Sequence, residues 1–217
     1  MNKILIGVIS VILLFAFLIA AYKFTNTTSD KTYPEVNILT KTDHIKWATD
    51  SATKKDILVE FSDFQCPACK TFHDFIKSEI EASGSANAGI MKKVTFVYRH
   101  FPLAQHQDAE EAAYAAEAAG KQGKFFEFSN LLFAKQKEWS DNDDAVKKFE
   151  SYAKELGLDL EQFKKDRDSK AAKDKVNADL LLGQKVEVNS TPTFYLNAKK
   201  LGPINSFEDF LKPLQDL

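Results

Sequence analysis

Cysteine is nearly absent from this chain. Its 217 residues include only Cys66 and Cys69, which are separated by two residues. Two cysteines this close would close a loop too short to stabilise a fold much, because that stabilisation grows with loop length. No second cysteine pair is present to complete a four-cysteine zinc site. The pair is therefore more consistent with a chemical role than with a disulfide framework.

A surplus of positive charge is also absent. Without Lys3 and Lys23, the chain has 27 basic and 31 acidic residues, a net charge of −4. This balance argues against a nucleic-acid partner. Apart from Arg99 and Arg167, every basic residue is a lysine. Many of these lysines alternate with acidic residues, which is the usual pattern of a solvated helix face.

One long apolar run lies at the N-terminus, where residues 4–22 carry no charge. A membrane-spanning helix needs about 20 apolar residues, whereas a cleaved signal peptide has an apolar core of roughly 7–15 residues followed by a small-residue cleavage site. The length of the run and the lack of such a site predict an uncleaved transmembrane anchor at residues 1–23, with a cleaved signal peptide or a buried core helix as the alternatives. Lys3 predicts a cytoplasmic N-terminus and a single-pass protein whose remaining domain is extracytoplasmic. Export would place the cysteines in a compartment that permits disulfides.

The exported part is long enough for one domain with a substantial core. Residues 24–55 are predicted to be a polar tether followed by a short segment with an edge strand and a helical turn. The domain itself is predicted at residues 56–217. A strand at residues 56–61, a helix at 67–84 and a strand at 94–98 follow each other, and this order implies a parallel strand pair.

A helical pattern then runs from Asp108 to about Lys185, and we expect three to five helices there. Asp108 and Glu111 resemble a capping box at its start. Strand character returns at residues 192–196, a hairpin turn is predicted at 197–200, and Ser206 is predicted to cap a final helix. The fold class is therefore α/β, with a helical insertion at about residues 104–187 between a βαβ half and a ββα half.

The sequence Cys66-Pro67-Ala68-Cys69 stands where the first strand gives way to the first helix. A cysteine at a helix N-terminus has its thiolate stabilised by unpaired backbone N–H groups and the helix dipole. This arrangement indicates a redox-active thiol pair. Half of a zinc site looks the same, and His73, His100 and His106 could be recruited to it, but ordinary structural roles are commoner for such histidines. We therefore expect no metal.

Residues 59–69 resemble the active-site strand and helix start of the thioredoxin superfamily, and more narrowly those of DsbA-type thiol:disulfide oxidoreductases. Residues 98–103, 123–128 and 189–194 support the resemblance, which covers residues 55–215. It implies a thioredoxin-like fold in which Cys66 is the nucleophile and Cys69 the resolving cysteine. Pro67 and Ala68 would tune the thiolate. The most oxidising family members carry a histidine where this chain has Ala68, so one contact that stabilises their thiolate is missing here.

The resemblance also assigns three further residues. Pro192 matches a cis-proline that faces the cysteine pair, and Thr191 before it would pair with the substrate backbone. Glu60 matches a buried acid that exchanges a proton with Cys69, although from residue type alone it could be a solvent-facing carboxylate at a sheet edge. Phe64 and Phe101 could line a peptide groove, but core positions are the commoner role of such residues.

These features predict a membrane-tethered thiol:disulfide oxidoreductase that donates its disulfide to cysteine pairs of exported proteins. No cofactor is expected beyond the Cys66–Cys69 disulfide, which a membrane redox partner would reoxidise. A first alternative is a disulfide reductase or isomerase supplied with electrons from the membrane. A second alternative is a non-catalytic chaperone or binding module in which the cysteines form only a structural clip.

Overall fold

The computed structural model describes residues 9, 12–18, 31–47 and 56–217. They belong to two compact units, Met1–Lys31 and Thr32–Leu217. In the first unit, residue 9 and residues 12–18 are helical. Within the described ranges, no helix has the length and apolar character needed to cross a membrane. The anchor predicted at residues 1–23 and the tether that follows it lie mostly outside the described residues, and both stay predictions.

In its described residues, the second unit is built on one mixed β-sheet of five strands. The strands are β1 (His44–Trp47), β2 (Asp56–Ser62), β3 (Val94–His100), β4 (Thr193–Leu196) and β5 (Lys199–Lys200). Their order across the sheet is β1-β3-β2-β4-β5. Strands β2 and β3 are parallel, as predicted, and the other neighbouring pairs are antiparallel. The sheet therefore places the strand that leads to the cysteines at its centre.

Helix α1 (Pro67–Ile76) follows β2 and begins immediately after Cys66. Pro67 occupies its first position, where the missing N–H would have no partner in any case. The α-helix is shorter than predicted, since a π-helical turn (Lys77–Glu81) replaces its last part. A short helix, α2 (Ile90–Lys93), then leads into β3.

Six helices separate β3 from β4 in the described structure. They are α3 (Ala109–Lys121), α4 (Phe125–Ala134), α5 (Gln136–Trp139), α6 (Ala145–Glu155), α7 (Leu160–Arg167) and α8 (Lys170–Lys185). The prediction of three to five was wrong, because a single turn such as α5 is too short to show helical periodicity. The predicted capping box is also wrong. Asp108 precedes α3 without capping it, and its carboxylate instead accepts a hydrogen bond from the Asp141 backbone N–H at 2.8 Å.

The C-terminal part forms the predicted strand, hairpin and helix. Asn197 and Ala198 form the turn between β4 and β5 with positive φ angles of 51° and 66°, as two-residue hairpin turns require. Helix α9 (Phe207–Gln215) begins with a complete capping box between Ser206 and Asp209. The predicted helix start at Ser206 is thus confirmed.

Apolar clusters cover both faces of the sheet. Successive residues of β2 point to opposite faces: Leu58 belongs to the cluster beneath α1 and the helical insertion, whereas Val59 and Phe61 belong to the cluster on the other face. By the same alternation, Glu60 shares the face of Leu58. The strand therefore presents this acid toward the side on which the active-site helix packs.

Candidate active site

The two cysteines lie at the start of α1 as free, buried thiols. Cys66 is 6% exposed and Cys69 is fully buried. The Cys66 thiol donates a hydrogen bond to the Thr191 carbonyl oxygen at 3.4 Å. The Asp63 backbone N–H donates to Cys69 Sγ at 3.5 Å. Residues 125 positions apart are thus brought together at the nucleophile, as the resemblance implies.

The surroundings of Cys66 favour its thiolate. A hydrogen bond from the Cys69 thiol, outweighing the effect of burial, lowers the pKa of Cys66 to about 5. The Thr191 side chain and the backbone N–H groups of Ala68 and Cys69 lower it further. These N–H groups are unpaired donors of the first helical turn, which is why a cysteine at this position is acidic.

Cys69 has the opposite character. Burial raises the pKa of its thiol well above the ordinary value, and the hydrogen bond to Cys66 and the nearby Glu60 carboxylate raise it further. The pair is therefore asymmetric near neutral pH: Cys66 is present as a thiolate and Cys69 as a thiol. This is the division of roles that thiol–disulfide exchange needs.

The Thr191–Pro192 peptide bond is cis, as expected from the resemblance. It precedes β4, which pairs antiparallel with β2, and Phe61 is the β2 partner of Thr193. The sheet register therefore places this peptide beside the loop that carries Cys66. Both residues assigned to substrate binding lie next to the nucleophile.

Glu60 is buried, with 5% of its surface exposed, so the alternative of a solvent-facing edge carboxylate is wrong. Burial raises the pKa of Glu60 to about 7, although the Lys46 ammonium acts to lower it. A carboxyl group with a pKa near neutrality both accepts and releases protons under physiological conditions.

A cavity of about 20 Å³ adjoins Glu60, with Lys46, His73 and Tyr98 among its lining residues. This volume is enough for one water molecule. The hydroxyl oxygens of Ser62 and Tyr98 are buried without a hydrogen-bond partner among the described residues. The side of β2 that carries Glu60 thus offers both space and polar groups for proton transfer.

A polar network holds the loop before Cys66, and sequence reasoning missed it. The Gln136 side-chain amide donates hydrogen bonds to the Phe64 carbonyl at 2.7 Å and to the Cys66 carbonyl at 3.1 Å. The Asp63 carboxylate accepts from the Gln65 backbone N–H at 2.7 Å and from His106 Nδ1 at 2.7 Å. An Asp two residues before a bonded N–H is a local turn signal that the sequence contained, whereas nothing local pointed to Gln136.

An apolar surface groove of about 430 Å³ adjoins the cysteine pair. It is lined by Ala68, Thr71, Phe72, Ile204, Asn205, Ser206 and Phe207. Phe64 and Phe101 do not contribute to it, because they are 1% and 6% exposed and belong to the core, as predicted. The groove residues instead come from α1 and from the segment before α9, whose proximity only the tertiary structure shows.

Comparison with known proteins assigns the chain to a family. A family model described as Thioredoxin matches residues 48–216. The chain therefore belongs to the thioredoxin family.

Several solved structures share the fold, and DsbA proteins are among them. BdbD from Bacillus subtilis superposes with a TM-score of 0.65 and 23% sequence identity, covering 81% of this chain and 92% of that one. The α-DsbA1 protein of Wolbachia pipientis superposes with a TM-score of 0.68 and 21% identity, covering 86% and 96%. MdbA, a thiol-disulfide oxidoreductase from Corynebacterium diphtheriae, gives 0.61 and 18%, covering 86% and 96%. The thioredoxin-like fold with a helical insertion is thereby confirmed.

Curated relatives carry another name. The Na(+)/H(+) antiporter NhaA 1 of Mycobacterium sp. strain KMS is 37% identical over 163 residues, which are 73% of this chain and 24% of the antiporter. An antiporter NhaA of Herminiimonas arsenicoxydans is 31% identical over 189 residues, 85% of this chain and 27% of that protein. The chain thus spans about a quarter of the length of these relatives.

Proposed function

We propose that this protein is a thiol:disulfide oxidoreductase that donates the Cys66–Cys69 disulfide to substrate dithiols. The observation that carries the proposal is the acidity of Cys66, whose pKa is lowered to about 5. A stabilised thiolate favours the reduced form of the pair, and a pair whose reduced form is favoured is an oxidant of other thiols. The curated relatives are named for Na(+)/H(+) exchange in much longer proteins, whereas this proposal rests on the thiol site.

Each turnover consists of two exchange steps. A substrate thiolate attacks Cys66 Sγ of the disulfide, forming a mixed disulfide and releasing the Cys69 sulfur as a thiolate. A second substrate thiolate then attacks the substrate sulfur of the mixed disulfide and releases Cys66 as a thiolate. Two electrons pass from the substrate to the cysteine pair, and the substrate gains one disulfide.

The two released sulfurs have different fates. Cys66 leaves readily because its thiolate is stabilised, and a leaving thiol of low pKa departs faster. Cys69 takes up a proton because burial raises its pKa well above the ordinary value. Glu60, with its pKa raised to about 7, supplies that proton and regains it from solvent. Pro67 and Ala68 tune the thiolate because they supply the first turn of α1 beside the sulfur.

Substrate recognition uses the surfaces next to Cys66. The Thr191–Pro192 peptide pairs with the extended backbone of the substrate around its cysteine. The apolar groove that Phe72, Ile204 and Phe207 help to line accepts an apolar substrate side chain. Backbone pairing is independent of side-chain identity, so this design suits many different exported proteins.

The proposal also covers the location of the protein, its substrates and its redox partner. Residues 1–23 anchor the protein in the cell membrane as a single-pass protein with a cytoplasmic N-terminus and an extracytoplasmic domain. The substrates are exported proteins with cysteine pairs, and a membrane redox partner reoxidises the reduced pair. No cofactor is required, because the disulfide itself carries both electrons.

The test is oxidation of a fluorescent two-cysteine peptide by stoichiometric amounts of the oxidised full-length chain. Wild type is expected to oxidise the peptide, and Cys66→Ser is expected to be inactive. In a separate reaction, Cys69→Ser is mixed with a peptide that carries an activated disulfide. That variant is expected to form a stable mixed disulfide through Cys66. Thermal unfolding of Cys66→Ser is the control. Unchanged peptide oxidation with lost stability would contradict the proposal and identify the pair as a structural clip.

A further inference from the structure

A buried group of ligand-type side chains lies outside the thiol site and has no part in the proposed exchange. His44 stands on β1, His100 ends β3, and Glu117 belongs to α3. His44 is the register partner of Tyr98, and His100 lies two residues beyond Tyr98, so both histidines point to the same face of the sheet. From α3, the Glu117 carboxylate reaches both rings.

The three side chains converge at one point. Nε2 of His44 lies 2.6 Å from Oε1 of Glu117, and Nε2 of His100 lies 2.8 Å from the same oxygen. All three atoms lie within 4.8 Å of one another. Ligands bound to zinc at about 2.1 Å in a tetrahedron are about 3.4 Å apart. Both N–O distances are shorter than that, and a small rotation of the Glu117 side chain, with both rings kept in place, would open the required space.

The surroundings hold these rings in place. The Phe125 ring stacks on His44 with centroids 3.4 Å apart and an angle of 4° between the planes. On another side, a side chain at Gly120 would place its Cβ 3.0 Å from Cε1 of His44. A larger residue at this position would therefore push the imidazole by a few tenths of an ångström, so glycine helps the ring to lie close to α3.

Charge and access also suit a cation. Glu117 contributes one negative charge, and two neutral imidazoles contribute none. Lys175 acts electrostatically on His44, but its ammonium is matched by Asp43 at 3.3 Å and Asp179 at 2.7 Å. The side chains of His44, Glu117 and His100 are 14%, 9% and 1% exposed, so solvent reaches the cluster at His44 and Glu117.

We propose that Nε2 of His44, Nε2 of His100 and a carboxylate oxygen of Glu117 form a site for Zn²⁺ or a similar imidazole-binding divalent cation. Three protein ligands with a water in the fourth position is a common zinc arrangement. The ion would join β1, β3 and α3, and it departs from our expectation from sequence that the chain binds no metal. Of the histidines considered there, only His100 takes part, and the cysteines do not.

The test uses the full-length chain with its cysteines oxidised to the disulfide, so that thiolates cannot bind the metal. After removal of bound metal, ZnCl₂ is titrated in competition with a chromophoric chelator. Wild type is expected to take up one zinc per chain. Loss of outer-shell partners alone typically costs about 10–100-fold in affinity, so His44→Gln and Glu117→Gln are each expected to weaken binding by about 100-fold or more.

His106→Gln is the matched control, because His106 is also partly buried and paired with a carboxylate but lies outside the cluster. Its zinc affinity is expected to equal that of wild type. A second measurement needs no variant: Co²⁺ bound to oxidised wild type is expected to show the visible absorption of a tetrahedral nitrogen and oxygen site. Failure of the oxidised wild type to bind either ion would overturn the proposal and leave a hydrogen-bonded triad. The same conclusion would follow if His106→Gln weakened zinc binding as much as His44→Gln and Glu117→Gln do.

Discussion

Cys66 and Cys69 are separated by only two residues but lie in different environments. Cys66 precedes the helix and faces its free N–H groups, whereas Cys69 lies inside the first turn and is fully buried. The same hydrogen bond between them lowers the pKa of Cys66 and raises that of Cys69. One short motif therefore produces both an acidic nucleophile and a protected resolving thiol.

This asymmetry predicts how Cys66 titrates. Thiolate absorbance of the reduced protein is expected to rise with a midpoint near pH 5, and Cys69→Ser, which replaces the thiol donor, is expected to shift that midpoint. Ultraviolet absorbance as a function of pH measures both, and Cys66→Ser is the control that removes the transition. A midpoint near 8.5, the ordinary value of a free cysteine, would contradict the account.

Glu60 predicts a pH-dependent stability. The pKa of Glu60 is raised to about 7 in the folded protein, whereas a glutamate in the unfolded chain has a pKa near 4.3. The contribution of Glu60 to the free energy of unfolding is therefore fully present below about pH 4.3 and is lost as pH rises through 7. Relative to wild type, Glu60→Gln is expected to gain stability between pH 4 and pH 8, on the order of 3 kcal/mol. Urea unfolding across this pH range tests the prediction, and a constant difference would refute it.

The sequence was most informative where the chemistry is local. Cys66, Cys69 and the helix start at Pro67 could be predicted, because motif, strand and helix signal are contiguous in the chain. The burial of Glu60 could not be settled from its residue type, since it depends on both neighbouring strands. Gln136 lay beyond prediction altogether, because its partners Phe64 and Cys66 are 72 and 70 residues away in sequence.

At the scale of elements, the helical insertion does more than cover the sheet. The one-turn helix α5 places Gln136 behind the loop that carries Cys66. Both loop carbonyls that it binds are buried and depend on this one amide for a side-chain donor. The insertion therefore fixes the position of the nucleophile as well as the surface around it.

Gln136→Leu is expected to lower the free energy of unfolding by about 1–3 kcal/mol, because the buried Phe64 carbonyl loses its donor, whereas the Cys66 carbonyl keeps the Lys70 backbone N–H. Chemical denaturation measures this loss. Gln162→Leu is the matched control, because the exposed Gln162 side chain on α7 donates to the Asp166 carboxylate at the surface; its effect is expected to stay within about 0.5 kcal/mol. Equal effects of the two substitutions would show that the Gln136 contacts contribute little.

Elements with strong local signals were predictable, and those fixed by tertiary contacts were not. The parallel pair of β2 and β3 and the Ser206 cap of α9 follow from the order of elements and from residue type. By contrast, the cap predicted at Asp108 fails because its carboxylate binds Asp141 across the insertion. A capping pattern in sequence does not reveal a competing partner 33 residues away.

At the scale of the whole molecule, the fold brings two distant halves to one sulfur. The βαβ half supplies the cysteines and Glu60, and the ββα half supplies Thr191 and Pro192, because β4 pairs with the central β2. The order of elements predicted this architecture. The relation of the domain to a membrane stays a prediction, since residues 1–23 lie largely outside the described ranges.

The measurement that tests the central claim most directly is the reduction potential of the Cys66–Cys69 pair in the full-length chain, equilibrated against glutathione buffers. Because the acidic Cys66 favours the reduced form, we expect a value toward the oxidising end of the thioredoxin-like range, on the order of −120 to −180 mV. A value near −270 mV, that of a reducing thioredoxin, would contradict disulfide donation and favour a reductase supplied with electrons from the membrane.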